Sequence, residues 1–198
     1  MQKIYEAVVA ETYEWVAPTN DAHWKLFRNF DGSTRAKDWQ PIHVERILRD
    51  DEGKMYQRSD FPWLMDSPLV MRAMAVEALR DILQRHGEIL PLSTDDGVEL
   101  YAFNVHAAVD ALDEARSDVW RFPNGRIGDI KKPAFFEAQI RDLEIFRLPI
   151  RGSSTYVTDT FVNRVHEAGL VGLDFPLVWS SDEQSHADAC AELAPSKC

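Results

Sequence analysis

The apolar pattern between residues 68 and 105 changes its period once, at Gly87. Before that glycine, Leu69, Ala73, Val76, Leu79 and Leu83 recur at helical spacing, while Arg72, Arg80, Gln84 and Arg85 fall largely elsewhere. After it come two apolar runs of strand length, 88–92 and 98–105, on either side of Ser93-Thr94-Asp95-Asp96-Gly97. The first pattern predicts a helix over 68–86. The Ser67 hydroxyl is placed to accept an orphan N–H of its first turn. Pro68 occupies the first helical position, where a missing donor costs nothing. Gly87 is expected to stop the helix in a left-handed conformation. The two later runs, joined through an Asp-Gly step, predict a β-hairpin. The stretch 100–105 is apolar on both faces apart from Asn104, which places it centrally in a sheet.

The remaining segments are shorter. Residues 4–9 read as an opening strand. From 17 to 66, Pro18, Asn20, Asp31-Gly32, Pro41, Gly53 and Pro62 interleave with Trp24, Trp39 and Trp63. Turn residues among large aromatics predict short strands and ordered loops rather than a linker. Residues 42–49 are apolar enough for either strand or helix. Residues 109–116 read as a short helix or turn, and 134–138, 143–148 and 155–158 as strands. A second helix is expected over 160–168, capped by Asp159, with Phe161, Val162 and Val165 on its apolar face and Gly169 at its end. A last strand covers 173–179, with Pro176 marking an edge or a bulge.

The expected fold class is α+β: a mainly antiparallel sheet with two principal helices and a loop-rich, aromatic N-terminal part. Residues 1–180 are expected to form one globular domain, in which 1–66 is the candidate for a smaller lobe. Residues 181–198 lack an apolar period and are expected to be a flexible acidic tail. A chain of 198 residues buries roughly 70% of its unfolded surface and needs neither metal nor disulfide to fold. The only cysteines, Cys190 and Cys198, lie in the tail, which is neither a disulfide scaffold nor a zinc site.

Charge narrows the partners. There are 33 acidic residues against 22 Lys and Arg, a net of −11. The tail holds only Asp182, Glu183, Asp188 and Glu192 against Lys197, so most of the excess lies in the body. An acidic body repels phosphate backbones, so no nucleic-acid or membrane partner is expected, and a basic protein is. The candidate contacts are acidic residues in predicted turns: Asp50, Asp51 and Glu52, and Asp95, Asp96 and Glu99. The first residues carry no apolar segment behind a basic one, and the longest apolar runs are far short of the ~20 residues of a membrane span, so a cytoplasmic location is expected.

Motifs of catalysis and cofactor binding are sparse. The six histidines include no two at metal-ligand spacing, and neither H-E-x-x-H nor C-x-x-C occurs. His166 and Glu167 are adjacent on the predicted second helix, so their side chains point about 100° apart. No G-x-S-x-G elbow is present. Gly152-Ser153-Ser154-Thr155 has the polarity of a phosphate loop but not its Gly-Lys-Ser/Thr ending, and reads as a plain turn. No catalytic residue, metal or cofactor is therefore assigned in the main reading. One enzymatic alternative is a metal-dependent hydrolase or nuclease, in which Asp38 and Glu52 hold the metal and Lys54 steadies the attacking water. Against it, residues 50–54 read as a turn rather than the strand such a site is built on. A second alternative is a non-enzymatic adaptor. The one basic stretch, with Arg121, Arg126, Lys131 and Lys132 around Asn124-Gly125 and Gly128, reads as a solvated loop.

Several pieces stand in a particular order and spacing. They are Asp60-Phe61-Pro62, the Ser67-led helix, Glu88-Ile89-Leu90-Pro91-Leu92, Tyr101 with Asn104-Val105, Asp110-Ala111-Leu112-Asp113 and Ile145-Phe146-Arg147. Then follow Tyr156-Val157-Thr158-Asp159-Thr160-Phe161, Gly169-Leu170-Val171-Gly172-Leu173-Asp174-Phe175 and Val178-Trp179. Over about 60–179 the chain thereby resembles a bacterial immunity protein family, first described as a domain of unknown function and later linked to polymorphic toxin systems. The resemblance implies a non-enzymatic antidote in the cytoplasm, which binds a cognate toxin stoichiometrically and blocks it. A basic toxin is the expected partner, nucleases among the candidates. The resemblance carries no catalytic residues, and its matching positions are caps, turns and core aromatics.

Overall fold

The computed structural model describes residues 1–64, 68–150 and 152–182. The chain opens with β1 (Lys3–Glu6), β2 (Val8–Val9), β3 (Trp15–Pro18), helix α1 (Ala22–Arg28), a 3₁₀ turn (Ala36–Asp38) and β4 (Ile42–Ile47). β5 (Leu69–Arg72) runs directly into α2 (Ala73–His86), and α2 directly into β6 (Gly87–Ser93), followed by β7 (Leu100–Val105). Next come β8 (Asp118–Arg121), β9 (Ile127–Lys132), α3 (Glu137–Ile140) and β10 (Ile145–Phe146). The described chain closes with β11 (Tyr156–Thr158), α4 (Asp159–Glu167), β12 (Leu173–Asp174) and β13 (Leu177–Ser180).

Two larger sheets organise these elements. One has the order β3-β4-β6-β7-β5, the other β10-β11-β1-β13. All of their neighbouring strands are antiparallel except β4 and β6, which pair in parallel with Ile42 opposite Leu92. The fold is thus α+β and mostly antiparallel, as expected. β2 pairs with β12 and β8 with β9 in two-stranded ribbons.

At β5 and β7 the five-stranded sheet is buried on both faces, which is why 100–105 shows no polar alternation. Val70, Leu90, Leu92, Leu100 and Ala102 pack with Phe27 and Phe30, on and just after α1. Leu69, Met71, Phe103 and Val105 pack toward Val76, Leu79 and Leu83 of α2. Phe161, Val162 and Val165 of α4 join that second cluster, with Ile145 and Val157 of the four-stranded sheet. The two principal helices therefore fill the space between the sheets. Burying a leucine such as Leu79 contributes about 2 kcal/mol. A third cluster, with Ile4, Phe135, Phe146, Tyr156 and Trp179, covers the other face of the four-stranded sheet.

Several expected boundaries are corrected. The long helix begins at Ala73, not at 68, because Leu69–Arg72 pairs with β7, Leu69 opposite Phe103 and Arg72 opposite Leu100. Ser67 lies outside the described residues, as do 183–198 with Cys190 and Cys198. Gly87 is not a left-handed stop: its φ of 178° is extended, and it is already the first residue of β6. A Cβ there would lie 2.2 Å from the Asn104 carbonyl oxygen and 2.7 Å from the Phe103 ring, so glycine is needed for close approach of β7. Gly169, by contrast, does end α4 with φ +64°. Asp159 is not its cap: it accepts a 2.8 Å bond from the Tyr5 hydroxyl, and Thr158 precedes the helix with no side-chain cap bond.

The opening strand divides into β1 and β2, which join different sheets. Residues 173–179 divide likewise about Pro176, and β13 is an edge strand. Residues 134–138 form no strand; Leu112 and Phe135 make a single antiparallel bridge, and α3 starts at Glu137. Only Ile145–Phe146 of 143–148 is strand. The open choice at 42–49 resolves to strand over Ile42–Ile47.

Candidate functional site

The acidic candidates sit on two loops at the C-terminal end of β4. The β6–β7 hairpin loop passes beside β4, and the turn at 50–54 follows it. Arg46 is the residue that joins the hairpin loop to the fold. Its Nε and Nη2 donate to Glu14 Oε2 at 3.1 and 2.7 Å, and its Nη1 donates to Asp96. Glu14 is buried and also accepts from the Ser59 N–H at 3.0 Å and from Arg72. Burial raises the Glu14 carboxyl, but the bonds from Arg72, Arg46 and Ser59 outweigh it and hold the group below its ordinary value. Slight desolvation likewise raises Asp96, while the Val98 N–H, the Thr94 hydroxyl and Arg46 bring it below the usual carboxylate range.

The six candidates therefore divide. Asp96 is held by Arg46, and its Oδ1 accepts the Val98 N–H at 3.2 Å. Asp50 folds its own turn, accepting the N–H groups of Glu52 at 3.0 Å and Lys54 at 2.8 Å. Asp95 is 92% exposed and stands 3.1 Å from His43 Nε2. Asp51, Glu52 and Glu99 are exposed. Two of the six thus build the loops, and four present carboxylates to solvent.

The hydrolase candidates do not assemble. Asp38 ends the 3₁₀ turn that packs on β6, whereas Glu52 and Lys54 lie in the exposed turn after β4. Among the described residues no three His, Cys, Asp or Glu side chains gather as metal ligands. The Gly152 loop is also built inward. Ser153 Oγ accepts the Leu148 N–H at 3.0 Å and donates to Ser154 O at 3.1 Å, and Ser154 Oγ donates to Glu6 at 2.6 Å.

A further surface was not anticipated from the residues. The basic stretch is not a loop but the β8–β9 ribbon, closed by Phe122 N–H to Arg126 O at 2.9 Å, with Gly125 at φ +81°. Val119, Ile127 and Ile130 face the third cluster. Trp120 and Phe122 face outward, 48% and 45% exposed, with ring centroids 4.7 Å apart. Gly128 lies beneath them; a Cβ there would meet the Trp120 ring at 2.2 Å. Asn124-Gly125 between Val119 and Ile127 was the hairpin signal available in the sequence.

Among the described residues no helix is long and apolar enough to cross a membrane. Residues 91–178 match the model of the immunity protein family (Imm11). The matched stretch runs from within β6 to within β13, so it takes in the hairpin loop with Asp95, Asp96 and Glu99, the aromatic ribbon and α4. No curated protein matches the chain.

Proposed function

We propose that this chain is the antidote of a toxin–antidote pair, acting in the cytoplasm by stoichiometric binding of one cognate toxin. The observation that carries this reading is the match of residues 91–178 to an immunity protein family. The toxin has a basic surface, a nuclease with a phosphate-binding cleft being the fitting case, because the chain carries a net charge of −11. The contact face is the pair of acidic loops at the end of β4, with Asp95 and Glu99 on one and Asp51 and Glu52 on the other. Asp50 and Asp96 hold those loops in shape.

A second contact reading has its own observation. Trp120 and Phe122 form an exposed aromatic pair inside the matched stretch, and buried aromatic anchors dominate many interfaces. The experiment is a tagged purification from the native host at low salt, followed by identification of what co-purifies. One stoichiometric basic protein, lethal when expressed alone and tolerated with this chain, supports the antidote reading. Charge reversal at Asp95 and Glu99 then separates the two faces from Trp120→Ser with Phe122→Ser. Recovery of several weak partners and no toxic one sinks the reading in favour of an adaptor.

A further inference from the structure

Among the described residues two arginines are buried, and they are treated differently. Arg72 meets the Glu14 carboxylate. Arg147, only 8% exposed, meets none among the described residues. Its Nε and Nη2 donate to Ser153 O at 3.2 and 3.0 Å, and its Nη1 donates to Phe30 O at 2.9 Å. Every one of those acceptors is a neutral carbonyl. A guanidinium has five N–H groups, so two are left over. Burial alone pulls the group below its ordinary value, with no acidic neighbour acting on it. Buried charges are ordinarily paired, and among the described residues this one has no counter-charge.

Arg147 lines a cleft of about 470 Å³. Phe30, Val105, Leu148, Pro149 and Ile150 supply apolar wall. Asp31 is also on the cleft, but its carboxylate accepts from the Ser33 N–H and hydroxyl and pairs with Arg35 at 3.2 Å. The cleft thus combines a partly unsatisfied planar cation with apolar sides, in a volume usual for small-molecule sites.

We propose that this cleft binds a small organic acid, with its carboxylate on Arg147 and its apolar body against Leu148, Pro149 and Ile150. The guanidinium fork matches a carboxylate in geometry and charge. The apolar walls favour an acid with a hydrocarbon body over a fully hydrated inorganic anion. The site is separate from the acidic loops and does not depend on toxin binding.

The test is a titration of the ¹⁵N-labelled full chain with benzoate at constant ionic strength, with benzamide and inorganic phosphate in parallel. The expected result is saturable shifts at residues 28–32, 147, 148, 150 and 152, with benzoate binding at least about tenfold tighter than either control. Arg147→Met removes that preference. Because Arg147 also ties Phe30 to Ser153, that variant can fail to fold. Ala108→Phe therefore serves beside it: it fills the cleft from an exposed position and weakens benzoate at least about tenfold. Equal binding of benzoate and benzamide, or of benzoate and phosphate, overturns the proposal. So does unchanged affinity in Ala108→Phe, or no saturable shift up to about 20 mM benzoate.

Discussion

Arg72 donates to Glu14 across 58 residues of chain, and both side chains are buried. This contact joins the last residue of β5, just before the long helix, to the segment that enters β3. Arg46 and the Ser59 N–H converge on the same carboxylate. Removing the acid strands the buried Arg72 guanidinium and leaves Arg46 with Asp96 alone. Glu14→Ala is expected to lower stability by about 3–5 kcal/mol, the range for breaking one side of a buried pair. Urea denaturation at neutral pH measures it, and a loss under about 1 kcal/mol would contradict the assignment.

The same carboxylate makes a pH prediction. Its folded-state value lies below the unfolded one, so its contribution is present above about pH 4.5 and is lost as pH falls through the folded value. Glu14→Gln is therefore less stable than the parent at pH 7, and the difference shrinks as the pH drops below 4.5. Thermal melts of both proteins across that range follow the difference; one that stays constant removes the linkage.

At Gly87 a methyl group has no room, since β7 approaches to 2.2 Å of the Cβ position. The extended φ would suit any residue, so the penalty is purely steric. Gly87→Ala is expected to destabilise by about 3 kcal/mol. Gly53→Ala offers the contrast, because there the added Cβ meets nothing within 4 Å and only the positive φ of 82° opposes it. A Gly87→Ala protein no less stable than Gly53→Ala would show that β7 can move away.

Asp95 and Asp96 are neighbours in sequence with opposite expected phenotypes. Asp96→Lys places a cation against Arg46 and is expected to unsettle the hairpin loop, lowering the melting temperature. Asp95→Lys leaves stability nearly unchanged, because its pair with His43 is solvent-exposed. Under the proposed contact face it slows association with the toxin, and the difference from the parent fades at high salt. Stopped-flow association rates at two ionic strengths decide the matter.

Trp120 and Phe122 give the complementary case. Replacing both by serine is expected to change stability by less than about 1 kcal/mol, since neither ring is buried. If the ribbon rather than the acidic loops meets the toxin, the same double variant weakens binding at least about tenfold while charge reversal at Asp95 does little. Dissociation constants for both variants assign the face.

Local patterning was enough to read the α+β class, the hairpin around Asp96-Gly97, the apolar faces of both principal helices and the stop at Gly169. Those features depend on residues a few positions apart, where periodicity and turn chemistry act directly. The start of α2 was not readable in that way. Leu69–Arg72 fits a helical period as well as a strand, and only the partner strand β7 decides, by offering backbone hydrogen bonds to that segment. The role of Gly87 was likewise set by a strand far along the chain rather than by its own φ.

The candidate site divides along the same line. Sequence alone marked six carboxylates in turns and a net charge suited to a basic partner. Only the tertiary structure separated Asp50 and Asp96, which hold their loops, from Asp51, Glu52, Asp95 and Glu99, which face solvent. It also turned a basic stretch into a ribbon with two exposed aromatics, and left Arg147 buried with no carboxylate beside it among the described residues. Composition and spacing are properties of the chain, whereas burial and charge pairing depend on which distant residues meet.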